Sequence, residues 1–132
     1  MNHNVPMFFA MIFAGVLSTM NIWVDKWSDM RLSINDFYMI LLMTGWMFLF
    51  MGVWYAEWIT VWLGGVLVCA MLWCIRTQFL VDMRQFVLGM IPHHSMAIHM
   101  SRKLIQKNTA LNAFAKDIME QQQREITFMK ST

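Results

Sequence analysis

This chain has few charged residues and few cysteines for its length. Of its 132 residues only 14% are charged, and the formal net charge is +2. The basic residues Arg102, Lys103 and Lys107 come with no nucleic-acid motif, so they are expected to meet solvent or lipid phosphates and not nucleic acid. Cys69 and Cys74 do not form a Cys-x-x-Cys motif. The sequence also shows no catalytic triad, phosphate loop or acid/base carboxylate pair, and therefore predicts that the protein is not an enzyme.

Hydrophobic residues make up 58% of the chain, far more than in an ordinary soluble domain. They concentrate in three uncharged stretches, residues 6–24, 37–55 and 58–75. Each stretch approaches the roughly 20 residues that a helix needs to cross the hydrocarbon core. Tryptophans mark their ends, as in an interfacial aromatic belt: Trp23, Trp27, Trp54, Trp58 and Trp73. We therefore predict a multi-pass protein of the cell (inner) membrane, in contact with membrane lipid, with three transmembrane helices in residues 1–78 and a helical domain in residues 79–132.

The predicted spans contain small residues and a regular series of methionines. Gly45, Gly52 and the pair Gly64-Gly65 predict close helix packing. Four methionines of the middle span are spaced four apart: Met39, Met43, Met47 and Met51. They form either a series of weak Cu(I) sites or ordinary apolar surface in lipid. We favour the second interpretation, because no span contains a histidine or a charged residue.

Two segments outside the spans combine histidine with methionine. Residues 90–100 hold three of the four histidines and three of the sixteen methionines. Imidazole and thioether bind copper well, and thioether favours Cu(I). On a helix, His93, Met96 and Met100 fall at i, i+3 and i+7 and share one face, with Met90 and His94 as a neighbouring pair. The alternative interpretation is that these methionines are core residues and the histidines are merely hydrogen-bonded. At the other end of the chain, Met1-Asn2-His3 fits a square-planar Cu(II) site at a free amino terminus.

Two motifs in the last part of the chain resemble a known family. Asp82 and Phe86 precede Met-Ile-x-His-His at residues 90–94, and Ile-x3-Gln-x2-Glu-Ile-x2-Met follows at residues 118–129. Together they resemble the CopM-like family, domain of unknown function 305. The resemblance implies a ferritin-like helical domain that binds copper, and sometimes silver, through histidine and methionine, without catalytic activity.

The candidate ligands come from the resemblance and from helical spacing. The resemblance implies four of them: Met90, His93, His94 and Met129. Spacing adds three residues of the same helix and one of the next: Met96, His99, Met100 and Met119. Gln122 and Glu125 lie on the stripe of the second helix that faces the first. There, Glu125 either orients a ligating histidine from outside the metal shell or is a solvated charge paired with a surface Lys or Arg.

The predicted fold class is all-α: three transmembrane helices, then a two-helix ferritin-like hairpin that pairs with another copy. Gly89 and Pro92 predict an interruption of the first hairpin helix beside the histidines. Two helices do not bury a stable core alone, and a ferritin-like bundle needs four, so we expect a homodimer or higher homo-oligomer. Neither Glu120 nor Glu125 is followed by a histidine three residues later, which argues against a di-iron oxidase.

Charge and family resemblance disagree on orientation. Four basic residues fall on the side of the carboxyl-terminal domain: Lys26, Arg31, Arg76 and Arg84. The positive-inside rule would make this domain cytoplasmic, whereas members of the resembling family are mostly exported, and we favour a periplasmic domain. Two functions are compatible with these features. The first is a membrane-anchored protein that sequesters or hands on Cu(I) for copper tolerance or delivery. The second is a metal-free structural subunit of a larger membrane complex, with other membrane proteins as partners.

Overall fold

The computed structural model describes residues 3–132 of the chain. Over those residues it forms five α-helices and no strand, which confirms the all-helical prediction. The helices are α1 (Asn4–Leu17), α2 (Ile34–Trp54), α3 (Trp58–Thr77), α4 (Met83–Gln106) and α5 (Asn112–Ser131). Two short 3₁₀ turns, Met20–Trp23 and Trp27–Asp29, lie between α1 and α2.

These elements group into two compact units. The apolar unit consists of α1, α2 and α3, and the second unit consists of α4, α5 and the segment Met20–Ser33. The sequence-based division assigns residues 20–33 to the membrane region, whereas the structure groups this segment with the carboxyl-terminal helices.

Three helical stretches of the chain are long and apolar enough to cross a membrane: Asn4–Trp23, Ile34–Trp54 and Trp58–Thr77. Their mean hydropathies are 1.8, 1.8 and 2.1, and large apolar side chains point outward, with Trp58 74% and Trp62 67% exposed. Such a surface is compatible with lipid and unfavourable in water.

Small residues let the apolar helices approach closely. A Cβ atom added to Gly64 would lie 2.6 Å from the Leu49 backbone nitrogen, and one on Gly52 would lie 2.7 Å from the Val61 nitrogen. Gly45 faces Val68 at similarly short range. These three glycines are packing positions, as predicted, whereas Gly65 has open space around it.

The second unit is built on a small aliphatic core between α4 and α5. Ile91, Ile98 and Ile126 are its buried residues. Asp82 caps the start of helix α4: its side chain accepts a hydrogen bond from the Gln85 backbone N–H at 2.8 Å. The helix then continues through Pro92. The predicted interruption is therefore wrong. Pro92 is fully buried, and its packing offsets the loss of the one backbone bond that its ring removes.

The segment Met20–Ser33 is tied to itself and to the helices of its unit. Asn21 closes it by accepting from the Arg31 N–H at 2.8 Å and donating to the Arg31 carbonyl at 2.7 Å. Ser95 of α4 accepts from the Asp25 N–H at 2.9 Å and donates to the Asp29 carboxylate at 2.7 Å. This segment therefore supplies part of the cover that α4 and α5 lack as an isolated pair.

Two buried carboxylates complete the attachment. Asp25 pairs with Arg102 at 2.9 Å, and Asp29 pairs with Lys130 near the end of α5. Burial raises the pKa of Asp29, but hydrogen bonds from Lys130 and Ser95 and the positive charges of Lys130 and Lys26 outweigh it, so that the pKa lies below its ordinary value.

Candidate functional site

His94 is one of the predicted ligands on α4, and both of its ring nitrogens contact oxygen atoms of other residues. Nδ1 lies 2.8 Å from the Met90 carbonyl oxygen, and Nε2 lies 2.7 Å from Glu125 Oε2. Carbonyl and carboxylate oxygens are both hydrogen-bond acceptors, so the ring is placed to donate from either nitrogen. The pair joins α4 to α5, with the histidine largely buried and the Glu125 side chain 41% exposed.

Glu125 is held as a carboxylate by its neighbours. Gln121, one turn earlier on α5, donates to Glu125 Oε1 at 3.1 Å. That bond, followed by the hydrogen bond and charge of His94, lowers the pKa of Glu125 from its ordinary value. Glu125 thus contacts His94 and Gln121, while its predicted role in orienting a metal-binding histidine stays a prediction.

His93 lies beside this pair but points to a different side of α4. Its ring centroid is 6.0 Å from that of His94, and its side chain is exposed. Met100, seven residues on, is 54% exposed, while Met90 and Met96 are half-buried. This outer face carries one imidazole and several thioethers, whereas His94 faces α5.

The remaining predicted ligands have other surroundings. Met119 and Met129 of α5 pack against the isoleucine core of the second unit. Met129 also lines a cavity of about 610 Å³ with Met83 and Val87. His99 and Gln122 are half-buried. The structure thus brings His94 and Glu125 together, leaves His93 with Met100 on the outer face, and gives the α5 methionines core packing.

No group of three or more His, Cys, Asp or Glu side chains among residues 3–132 is arranged to hold a metal ion. Met1 and Asn2 of the amino-terminal Cu(II) motif lie outside the described residues.

Three residues outside the predicted site, Ser95, Asp25 and Asp29, also form buried polar contacts in this unit. Ser95 interrupts the His/Met run at a position that is fully buried, and it bonds residues about 70 positions away. A serine on the inner side of an otherwise apolar helix is a signal for such a partner, because a buried hydroxyl needs a hydrogen bond.

Comparisons with known proteins match both parts of the chain. A family model described as "Domain of unknown function (DUF305)" matches residues 80–132. The uncharacterized protein L153 of Acanthamoeba polyphaga mimivirus is 41% identical over 135 residues, which cover 95% of this chain and 87% of that protein. No solved structure matches the chain significantly. The similarity to the viral protein thus extends over the apolar helices as well as α4 and α5.

Proposed function

Because this chain belongs to the same family as mimivirus protein L153 and carries a DUF305 domain at residues 80–132, we propose that it is a membrane-anchored copper-binding protein that sequesters Cu(I) or hands it on. The observation that carries the proposal is the exposed His93 and its methionines beside the His94–Glu125 pair. Imidazole and thioether are a donor set suited to Cu(I), and the same donors accept Ag(I). The proposal includes no catalytic step.

In this account His93 is the first imidazole ligand, because its ring is exposed and lies on the face with Met100. His94 would be the second imidazole ligand, binding through Nε2 once that nitrogen is free of its proton. Its Nδ1–H would keep the bond to the Met90 carbonyl, which fixes the ring orientation. The partly exposed Glu125 carboxylate would lie beside the bound cation and offset its charge.

Two further features support pairing with a second copy. On α4, Phe86, His93 and Met100 are exposed at seven-residue intervals, as are Phe114 and Phe128 on α5, fourteen residues apart. This is the spacing of a helix seam that packs against other helices. Two such hairpins would form a four-helix, ferritin-like bundle with the histidines and methionines between the copies.

Membrane anchoring is supported by the three apolar helices. Two of them separate the segment Met20–Ser33 from α4, so in a three-span arrangement both lie on one side of the membrane, in agreement with their packing into one unit. We propose that this side faces outward, to the periplasm where there is one. A reporter fused after Thr132 tests this orientation, and activity confined to the cytoplasm would reverse it.

The copper content of the detergent-purified protein tests the function. His93→Ala should lower the copper bound per chain by one ion. The matched control is His99→Ala, which changes a half-buried histidine elsewhere on α4 and should leave the bound copper unchanged. Helical content measured by circular dichroism should be the same in both. If wild type and His93→Ala bind equal amounts of copper, the proposed site is wrong. If the wild type binds no copper, the metal-free structural subunit is the better explanation.

A further inference from the structure

One end of the apolar unit contains a cavity that the function proposed above does not use. Helix α1 begins there, α2 ends there and α3 begins there. The cavity measures about 380 Å³, and its lining includes His3, Met7, Met51 and Glu57. These residues come from three separate places in the sequence.

Local structure fixes where the donor groups lie. The Met7 N–H donates to the His3 carbonyl at 3.0 Å, so both side chains lie on one face of α1, one turn apart. Asn4 donates to the Thr60 hydroxyl at 2.8 Å, and that hydroxyl donates to the Glu57 carboxylate at 3.1 Å. This chain of hydrogen bonds links α1 to α3 and holds the carboxylate at the cavity.

The two methionines here differ from those on the lipid-facing surface. Met39 and Met43, earlier in the series of α2, are 51% and 50% exposed, as expected for ordinary apolar surface. Met7 and Met51 are half-buried and line the cavity. Successive residues four apart on an α-helix point in slightly different directions round its axis. Of this methionine series, the last one, Met51, lines the cavity.

We propose that this cavity is a second binding site, for a soft monovalent cation such as Cu(I) or Ag(I). The His3 imidazole and the Met7 and Met51 thioethers are the ligands, and the Glu57 carboxylate balances the charge. Two thioethers and one imidazole select a soft ion over Mg²⁺ or Ca²⁺, which take oxygen ligands. The site does not depend on the ligands of α4.

The site lies at an end of the spans, where an ion can enter from water. In a three-span arrangement this end and the carboxyl-terminal domain belong to opposite sides of the membrane, because a single span, α3, separates Glu57 from α4. The protein would then bind the same kind of ion on both sides.

Silver binding by the full-length protein in detergent tests the proposal. The background is His93→Ala/Met100→Leu, which removes the site proposed on α4, so the two proposals fail separately. In this background Ag(I) should still bind at one ion per chain, and adding Met7→Leu/Met51→Leu, which keeps side-chain volume, should weaken binding at least about tenfold. The matched control Met39→Leu/Met43→Leu should bind silver like the background.

Two outcomes would overturn the proposal. One is unchanged silver affinity and stoichiometry after Met7→Leu/Met51→Leu. The other is the same loss in Met39→Leu/Met43→Leu. If Met7→Leu/Met51→Leu loses helical content, His3→Ala is used in its place, because His3 is exposed. Full silver affinity in His3→Ala would likewise contradict the site.

Discussion

Both ring nitrogens of His94 face hydrogen-bond acceptors, the Met90 carbonyl oxygen and the Glu125 carboxylate. A metal ion that binds Nε2 must therefore displace the contact with Glu125 and compete with a proton for that nitrogen. The two neighbouring histidines therefore differ chemically although they are adjacent in sequence. His93 is exposed, and His94 is part of an ion pair.

The first residue-scale prediction concerns Glu125→Gln. In the wild type, copper affinity should rise with pH, because the metal replaces the Nε2 proton that Glu125 holds on His94. The variant lacks the charge that favours this proton, so its affinity should depend less on pH. At alkaline pH it should bind copper about ten- to a hundred-fold more weakly than wild type, the usual scale for a group outside the metal shell.

Copper titrations against a competing chelator at several pH values provide the measurement, and Glu120→Gln is the matched control, because Glu120 is exposed on the same helix. Identical pH profiles in wild type and Glu125→Gln would show that the ion pair takes no part in binding.

The second residue-scale prediction concerns Asp29, which is 3% exposed and bonded to Ser95 and Lys130. Asp29→Asn removes the charge that these partners stabilise, and should lower the free energy of unfolding of the second unit by about 1–3 kcal/mol. Since the pKa of Asp29 is lowered in the fold, its contribution is present above the pKa of the unfolded chain and is lost as pH falls through the folded-state pKa.

Thermal unfolding at neutral and acid pH checks this, with the exposed Asp117→Asn as control. The stability difference between wild type and Asp29→Asn should shrink on acidification. A difference that stays constant down to strongly acid pH would mean that the ionised carboxylate is not its cause.

At the scale of the elements, sequence patterns predicted the helices better than their contacts. Three apolar runs and the two motif-bearing segments correspond to the five helices, because apolar length and period are local properties. Pro92 was misjudged, since tertiary packing maintains α4 through a residue that local rules treat as a break. The site was predictable in part: Glu125 and His94 are brought together, whereas Met119 and Met129 pack in the core.

The role of the segment Met20–Ser33 was not predictable from local pattern. Its ties join residues far apart in sequence, such as Asp29 and Lys130, which are 101 positions apart. Nothing in the period or composition of a 14-residue connection encodes such a partner. The available signals in the sequence were a serine on the inner face of α4 and aspartates with no assigned partner. Without the fold, these signals do not show which residues contact one another.

An element-scale prediction concerns the exposed seam of the hairpin. If two copies pair through it, Phe114→Glu/Phe128→Glu should convert the protein to monomers, because the substitutions place charges in an apolar contact. Ala113→Glu/Thr127→Glu adds the same charge at exposed neighbouring positions and should leave the assembly intact. Light scattering with correction for bound detergent measures the mass. Equal masses in the two variants would place any contact between copies elsewhere.

At the scale of the whole molecule, the chain combines a membrane-type apolar unit with a charged helical unit that includes the connection between α1 and α2. The similarity to the viral protein covers 95% of the chain, so it extends over the apolar helices as well as residues 80–132, which the DUF305 model matches.

X-ray absorption at the copper edge can show whether α4 binds Cu(I) through His93, His94 and neighbouring methionines. The sample is the full-length Cu(I)-loaded protein carrying Met7→Leu/Met51→Leu, which removes the second proposed site. We expect Cu(I) with both nitrogen and sulfur neighbours, and loss of the bound copper when His93→Ala/Met100→Leu is added. Copper-free protein, or a spectrum that these two substitutions leave unchanged, would rule out the site on α4.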